Sequence, residues 1–479
     1  MGFVQGIHRH QMVMFPELLD DYIADGNPVR FIDAFVGSLD LQALGFERAL
    51  PKETGRPPYH PGDLLKLYVY GYLNRVRSSR KLEKEANRNV EVMWLLGKLA
   101  PDFKTIADFR RDNGEAIRTT YRAFTLLCRS LELFGGELVA IDGSKFKAVN
   151  SRERNFTERK LKSLAKRADA KIERYLQELD ENDAQETDSK KLTKEELQEK
   201  IEWLKRRKGT YDELQQQMDE SGESQVSLTD PDARSMTLGK GRGAEVSYNV
   251  QISVDAKHKL IVDHEVTNDC NDMKQLSSMA IRAKEMLEVE SLEVVADGGY
   301  YNGEEIRDCT EGDIVPYIPQ TSSSNSKRAG LYTKEDFRYD AENDCYWCPA
   351  GEALWYIRCG TNKHGRMMRF YATKRCKECV MKHKCTRDKR GRRIQRWEDE
   401  ALLEEMALRM RAEPDKVKQR KLIVEHPFGT IKRSMEQGYF LTRRLGNVRA
   451  EMSLTMLAYN MKRVMGLMSI EQLLAALPG

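Results

Sequence analysis

Leu138-Val139-Ala140-Ile141-Asp142-Gly143-Ser144 is the stretch on which the fold turns. Four apolar residues run into an acid and a glycine, and the pattern returns as Leu292-Glu293-Val294-Val295-Ala296-Asp297-Gly298-Gly299-Tyr300. Each reads as a short buried strand closing on a carboxylate. Between them, Val246 to Val254 and Lys259 to Val266 flank the polar turn Asp255-Ala256-Lys257-His258, the pattern of a β-hairpin. A helix is expected from about Asp272 to Val289, and one more strand at Ile314 to Ile318. Strand, hairpin, helix and strand predict an α/β core with a mixed sheet.

Outward from this core the sequence changes character. Residues 1–132 read as helical: Pro61 opens the apolar run Leu64, Leu65, Leu67, Tyr68, Tyr70, Tyr72, and Ser78-Ser79 is placed to cap the next helix, with Glu83 in support. A third helix is expected after Thr105, carrying Phe109, Arg110 and Arg111. Short helices with basic turns suit a DNA-binding domain and a plain bundle alike. The core, 133–320, is interrupted at 151–235. There, residues 151–220 hold 17 basic and 18 acidic side chains, no proline and one glycine, with Leu161, Leu164, Ala168, Ile172, Leu197, Ile201 and Leu204 at helical spacing. The segment predicts an antiparallel helical hairpin turning near Glu181 to Ser189. A second interruption, 321–414, opens with Thr-Ser-Ser-Ser-Asn-Ser, a linker composition. Residues 415–479 complete the core with C-terminal helices.

The chain has 479 residues, 40% of them hydrophobic, so several folding units with real cores are expected, not a disordered chain. No run approaches a membrane span, and the first residues lack a secretory pattern, which predicts a cytoplasmic protein. Its 79 basic and 75 acidic residues nearly cancel, yet Arg358 to Arg396 carries a local +13 and Lys416 to Arg449 a local +7. Concentrated positive charge on an otherwise acidic chain fits a polyanion partner, and fits a solvated basic surface equally well.

Two constellations carry chemistry. Asp142 and Asp297 could present carboxylates to a hard cation at a strand edge, although Asp-Gly alone also closes a strand as a turn. Cys345-x-x-Cys348 and Cys376-x-x-Cys379, followed by Cys385, give the C-x-x-C spacing that presents paired thiolates to zinc. His383 is a weaker candidate, and Cys128, Cys270, Cys309 and Cys359 read as buried thiols. Gly239 to Gly243 lacks the spacing of a nucleotide loop and reads as a flexible basic turn.

At this point the chain resembles the DDE transposases of bacterial insertion sequences, in particular the group called IS eleven-eighty-two. Ile141-Asp142-Gly143-Ser144 is similar to the first acid's motif and Ala296-Asp297-Gly298-Gly299-Tyr300 to the second. Val424-Glu425-His426-Pro427-Phe428-Gly429-Thr430-Ile431-Lys432 is similar to the third, with six residues between Glu and Lys. Tyr248-Asn249-Val250-Gln251, Ser78-Ser79-Arg80-Lys81-Leu82-Glu83 and Thr105-Ile106-Ala107-Asp108-Phe109-Arg110 also resemble the family, in order along nearly the whole chain. In one respect the chain departs: Lys418 and Lys421, with Arg420 beside them, stand where the family often places Tyr and Arg.

The resemblance implies a ribonuclease-H-like core in which Asp142, Asp297 and Glu425 bind two Mg²⁺ or Mn²⁺ ions. One strand at a transposon end would be hydrolysed and the freed 3′-hydroxyl would attack target DNA. It implies a structural zinc on Cys348, Cys376, Cys379 and Cys385, with Cys345 as alternative ligand. Double-stranded DNA is the expected partner, contacted by Lys432, Arg433, Arg443, Arg444, Arg75, Arg77 and Arg80. A homodimer is expected at synapsis, the protein being nucleoid-associated and away from membranes. Two alternatives stay open: a metal-dependent nuclease of the same fold, and a transposase-derived DNA-binding protein without catalysis. Pro427, lacking an N–H, is expected to kink or restart the helix that carries Glu425.

Overall fold

In the computed structural model, which describes residues 18–50, 57–184, 193–239, 241, 243–320, 329–362 and 365–477, the central strand is β1 (Leu138–Lys147). The helical hairpin departs through β2 (Asn155–Thr157) and returns through β3 (Gln225–Ser227). β4 (Arg234–Thr237) and β6 (Ile261–Thr267) both pair antiparallel with β5 (Ala244–Asp255), at its two ends. β5 pairs antiparallel with β1, which runs parallel to β7 (Leu292–Val295), and β7 runs parallel to β8 (Ile314–Tyr317). The mixed sheet that the strand pattern predicts is therefore present.

Its details differ from expectation in ways that matter. β1 does not end at Asp142-Gly143; β5 keeps pairing it, with Gly143 opposite Gln251 and Lys147 opposite Ser247. The helix after the hairpin begins at Leu276, not Asp272. β4, which the expected insertion boundary at 235 cuts in two, belongs as a whole to the core sheet.

Both faces of the sheet are covered. On one, α9 (Leu276–Leu287), α10 (Gly303–Glu311) and a later helix (Glu400–Ala412) bury Met279, Ala283, Ile306 and Met406 against Val139, Ile141 and Val294. On the other lie the N-terminal helices α1 (Pro28–Gly37), α2 (Pro61–Leu73), α3 (Ser79–Ala86), α4 (Val90–Leu95), α5 (Phe103–Asp112) and α6 (Gly114–Ser130). With them packs the helix Leu445–Val464, buried around its whole circumference between Met452 and Met461. Phe31, Tyr68 and Phe124 share one core with Val250, Ile252 and Leu457, so residues 18–132 are not insulated from the sheet. α5 starts at Phe103, ahead of the expected Thr105, because Asp102 caps it by accepting from the N–H groups of Lys104 and Thr105. Ser78 occupies the cap of α3 without a side-chain bond, so the expected support from Glu83 does not form.

The charged insertion is a pair of helices, α7 (Glu158–Ala184) and α8 (Lys194–Ser221), joined along Leu161, Tyr211, Leu214 and Met218. Most of its expected turn lies outside the described residues, as does the Thr321–Ser326 linker. The second insertion is an antiparallel meander: β9 (Arg338–Asp340), β10 (Cys345–Trp347), β11 (Ala353–Thr361), β12 (Met367–Ala372) and β13 (Arg393–Trp397). It has its own small core of Phe337, Tyr346, Leu354, Tyr371 and Ile394. Among the described residues no helix is long and apolar enough to cross a membrane.

Candidate active site

Ala140 pairs with Val295, so Asp142 and Asp297 each stand two residues beyond the same rung of two parallel strands. Side chains alternate along a strand, so Asp142 leaves the sheet on the face of Ala140. Asp297 sits just past the end of β7, its Oδ1 accepting from Gly299 N at 2.8 Å and so starting a single turn. Burial pushes the Asp142 carboxyl up to about 6; Arg420 opposes the shift and Asp297 adds to it. A buried, proton-hungry carboxylate beside a second acid is the electrostatic profile of a cation site.

Cations already crowd this place. Arg420 Nη1 lies 3.4 Å from Asp142 Oδ2. Lys432 donates to Ser144 Oγ at 2.6 Å and to the Lys145 carbonyl at 2.8 Å, over the ring of Phe146, and its burial pulls its ammonium down to about 8. Arg420 and Lys432 both come from the end of the chain, on the helix Pro414–Gly429 and the π-turn Thr430–Ser434 that continues it. That helix packs on the sheet through Ile423, Val424 and Phe428. Pro427 neither breaks nor restarts it; the wide turn at Thr430–Ser434 absorbs the irregularity instead.

Glu425 lies on the outer side of the same helix, 63% exposed, 3.7 Å from Lys421. The structure brings together Asp142 and Asp297 but leaves Glu425 paired with its helical neighbour. Among the described residues no group of three His, Cys, Asp or Glu is set to hold a metal ion. The acid that does reach the site is Asp272. Its Oδ1 accepts from Asn249 and Gln251, each at 2.7 Å, and lies 3.6 Å from Lys145 Nζ. Sequence reading placed Asp272 only at the start of a helix; the available signal was the Asn249-x-Gln251 alternation, two polar residues in an apolar strand.

Cys348, Cys376, Cys379 and Cys385 line one pocket beside the meander, and Cys345 lies buried in β10 without lining it. Burial raises the Cys385 thiol, and the other three thiols raise it further. Glu352 N donates to Cys348 Sγ at 3.3 Å. His383 is exposed and bonded to the Val380 carbonyl. Cys128 and Cys309 are buried as expected, whereas Cys270 and Cys359 are exposed.

Of the basic candidates, Arg433, Arg443, Arg444 and Arg80 are exposed, and Arg75 is half-exposed opposite Glu436. Arg77 is not available to DNA: it is 6% exposed and donates to the carbonyls of Tyr439 and Glu436 and to Glu451.

Two family models match the chain. One is described as a transposase domain, DUF772, over residues 17–112, and the other as a transposase DDE domain, over residues 347–465. The chain carries two transposase domains, and its function is that of a DNA transposase. The second match contains Glu425, Lys432 and the cysteine pocket, while Asp142 and Asp297 lie between the two. No curated protein matches the transposase. A cryo-EM structure of a piggyBac transposase synaptic complex with hairpin DNA aligns over 94% of this chain and 79% of that one, at 9% identity and a TM-score of 0.30, a likeness too loose to argue from.

Proposed function

We propose that this transposase belongs to a bacterial insertion sequence of the IS eleven-eighty-two group, has a ribonuclease-H-like core, and cuts transposon ends and joins them to target DNA. What carries the reading is the placement of Asp142 and Asp297 on one level of neighbouring parallel strands, with the Asp142 carboxyl pushed up to about 6. The strand order β8-β7-β1-β5-β6, three antiparallel strands beside two parallel ones, supports the core assignment.

DDE domains generally use divalent metal ions, and the donors here suit a hard cation: carboxylate oxygens, one set buried, with no thiol among them. Bound there, Mg²⁺ or Mn²⁺ would activate water and then the 3′-hydroxyl, and stabilise the leaving oxygen. Asp142 and Asp297 would hold the ions, and Glu425 would complete the set once its helix turns it inward from its exposed pairing with Lys421. Arg420 would turn from Asp142 towards a phosphate as the carboxylate charge is neutralised. Lys432, fixed by Ser144 and the Lys145 carbonyl, would face the same phosphate from β1. No side chain forms a covalent intermediate; positioning and charge do the catalysis.

A groove of about 350 Å³ supports a path for the DNA backbone. Arg110, Arg111, Arg443, Arg444 and Asn447 line it together with one acid, Asp108, where α5 meets the chain leading into the last long helix. Asp108 and Asp112 neutralise Arg111, while Arg110 is held over the Tyr68 ring with no carboxylate bonded to it. The four cysteines line one pocket without metal-site spacing; drawn together, they would hold a structural zinc, and synapsis of two ends would use a homodimer.

Incubation of the protein with Mg²⁺ and a labelled transposon end is the test. The expected result is cleavage and strand transfer, both lost in Asp142→Asn. Cleavage without joining would make the protein a nuclease, and binding with no cleavage would leave a DNA-binding protein.

A further inference from the structure

The glycines that follow Asp142 and Asp297 are placed differently: Gly143 lies within β1, whereas Gly298 and Gly299 belong to the single turn that Asp297 starts. A Cβ on Gly143 would sit 2.4 Å from Gln251 Nε2 and 2.7 Å from Asp272 Oδ1. A Cβ on Gly299 would come within 4.0 Å of Asp272 Oδ2. The Asp272 carboxylate thus lies close against the backbone that follows Asp142 and in looser contact with the backbone that follows Asp297. A side chain at position 143 would displace it, whereas one at position 299 would clash with Asp297 Oδ1, 2.9 Å away, and only touch Asp272.

The carboxylate is anchored from two strands. Asn249 and Gln251, both fully buried on β5, donate to Oδ1, and Lys145 on β1 supplies positive charge. Gln251 in turn accepts from the Tyr300 hydroxyl, on the turn that Asp297 starts. Asp272 Oδ1 therefore joins β1 and β5 directly and reaches the Asp297 turn through the Gln251 amide. Among the described residues none donates to its Oδ2. Near it, among the described residues, the buried Asn249 Oδ1 has no hydrogen-bond partner, and Lys145 Nζ has only its 3.6 Å ion pair with Asp272 Oδ1. Unpartnered buried donors and acceptors are rare in a finished site and point to a missing polar occupant.

We propose that Asp272 is a positioning residue of the metal site: Oδ1 fixes the separation of Asp142 and Asp297, and Oδ2 faces the hydration shell of the bound ion. Asn249 Oδ1 accepts from the same water layer. The inference rests on the metal-dependent reading above and adds a carboxylate to it. Groups that orient a metal site without being its first ligands typically change ion affinity by about 10–100-fold when removed.

Mn²⁺ titration of the full-length protein without DNA, followed by the electron paramagnetic resonance of free Mn²⁺, tests it. Asp272→Asn keeps the shape and an acceptor oxygen, so the expected result is an unchanged melting temperature without metal, unchanged DNA binding, and Mn²⁺ affinity weaker by about tenfold or more. Cleavage by this variant should recover at high Mn²⁺, a rescue that a purely structural role does not give. Mn²⁺ affinity within twofold of wild type overturns the proposal. Should Asp272→Asn fail to fold, Asn249→Ser removes one of the two hydrogen bonds, and normal Mn²⁺ binding by that folded variant overturns it equally. Wild-type protein with no Mn²⁺ binding sensitive to Asp142→Asn defeats the metal-dependent reading itself, and this inference with it.

Discussion

Burial moves Asp142 and His264 in opposite directions along the pH axis of stability. His264 is fully buried, with Nε2 2.9 Å from Ser453 Oγ and its ring edge-on to Tyr121, and burial pulls its imidazole down to about 3. The unfolded chain takes up that proton first, near pH 6.5, so the stabilisation is intact above this pH and is lost as the pH falls towards 3, by up to about 1.4 kcal/mol per pH unit. Urea midpoints should therefore drop between pH 7.5 and 5.5, and less in His264→Gln; equal drops would mean that other groups govern the acid limb. The Asp142 carboxyl is raised, so its stabilising effect holds at low pH and is gone above about 6. At pH 7.5 in a chelator, Asp142→Asn should be more stable than wild type by about 1–3 kcal/mol while being inactive. A less stable Asp142→Asn under those conditions would show that the buried charge is compensated within the apo protein. The side-by-side placement of Asp142 and Asp297 was legible because an apolar run leading into an acid is a local pattern, even though β1 continues past Asp142. Asp272 was not, because its place is created by β5 laying Asn249 and Gln251 on one buried face.

Elements were legible where alternation or helical spacing was clean. The β5–β6 hairpin and α7–α8 follow their sequence patterns closely, and so does β8. The meander β9–β13 was invisible, since five successive residues of β11, Trp355 to Cys359, are exposed and erase the period of two. Its strands are short and its core holds few side chains, so a bound zinc should contribute much of its order. Purified protein should carry about one zinc per chain. Strong chelation, or Cys376→Ser, should expose residues 345–385 to protease while the circular dichroism of the core persists. Unchanged protease resistance after verified metal loss would remove zinc from the account.

At the scale of the whole molecule, the N-terminal helices and the catalytic sheet are joined by more than apolar packing. Glu451, fully buried on the last long helix, accepts from Leu441 N and Thr442 N at 2.9 Å and from Thr442 Oγ1 at 2.6 Å. Arg77, from the turn between α2 and α3, lies 3.5 Å from it and stacks on Tyr439. A basic residue in a helical domain of this sequence resembles a DNA contact; only the folded chain shows that it is an internal one. Removing one partner of a buried ion pair strands the other, at a cost of about 3–5 kcal/mol. Arg77→Ala should therefore lower the melting temperature by several degrees, yet leave the DNA affinity of the folded fraction and its salt dependence unchanged. Arg443→Ala should do the reverse, with stability kept and the slope of log K against log salt reduced by about one. Because the same binding titration reads both variants, the outcome assigns each arginine directly. A flatter salt slope in Arg77→Ala at undiminished stability would return that residue to the DNA surface and break the seam described here.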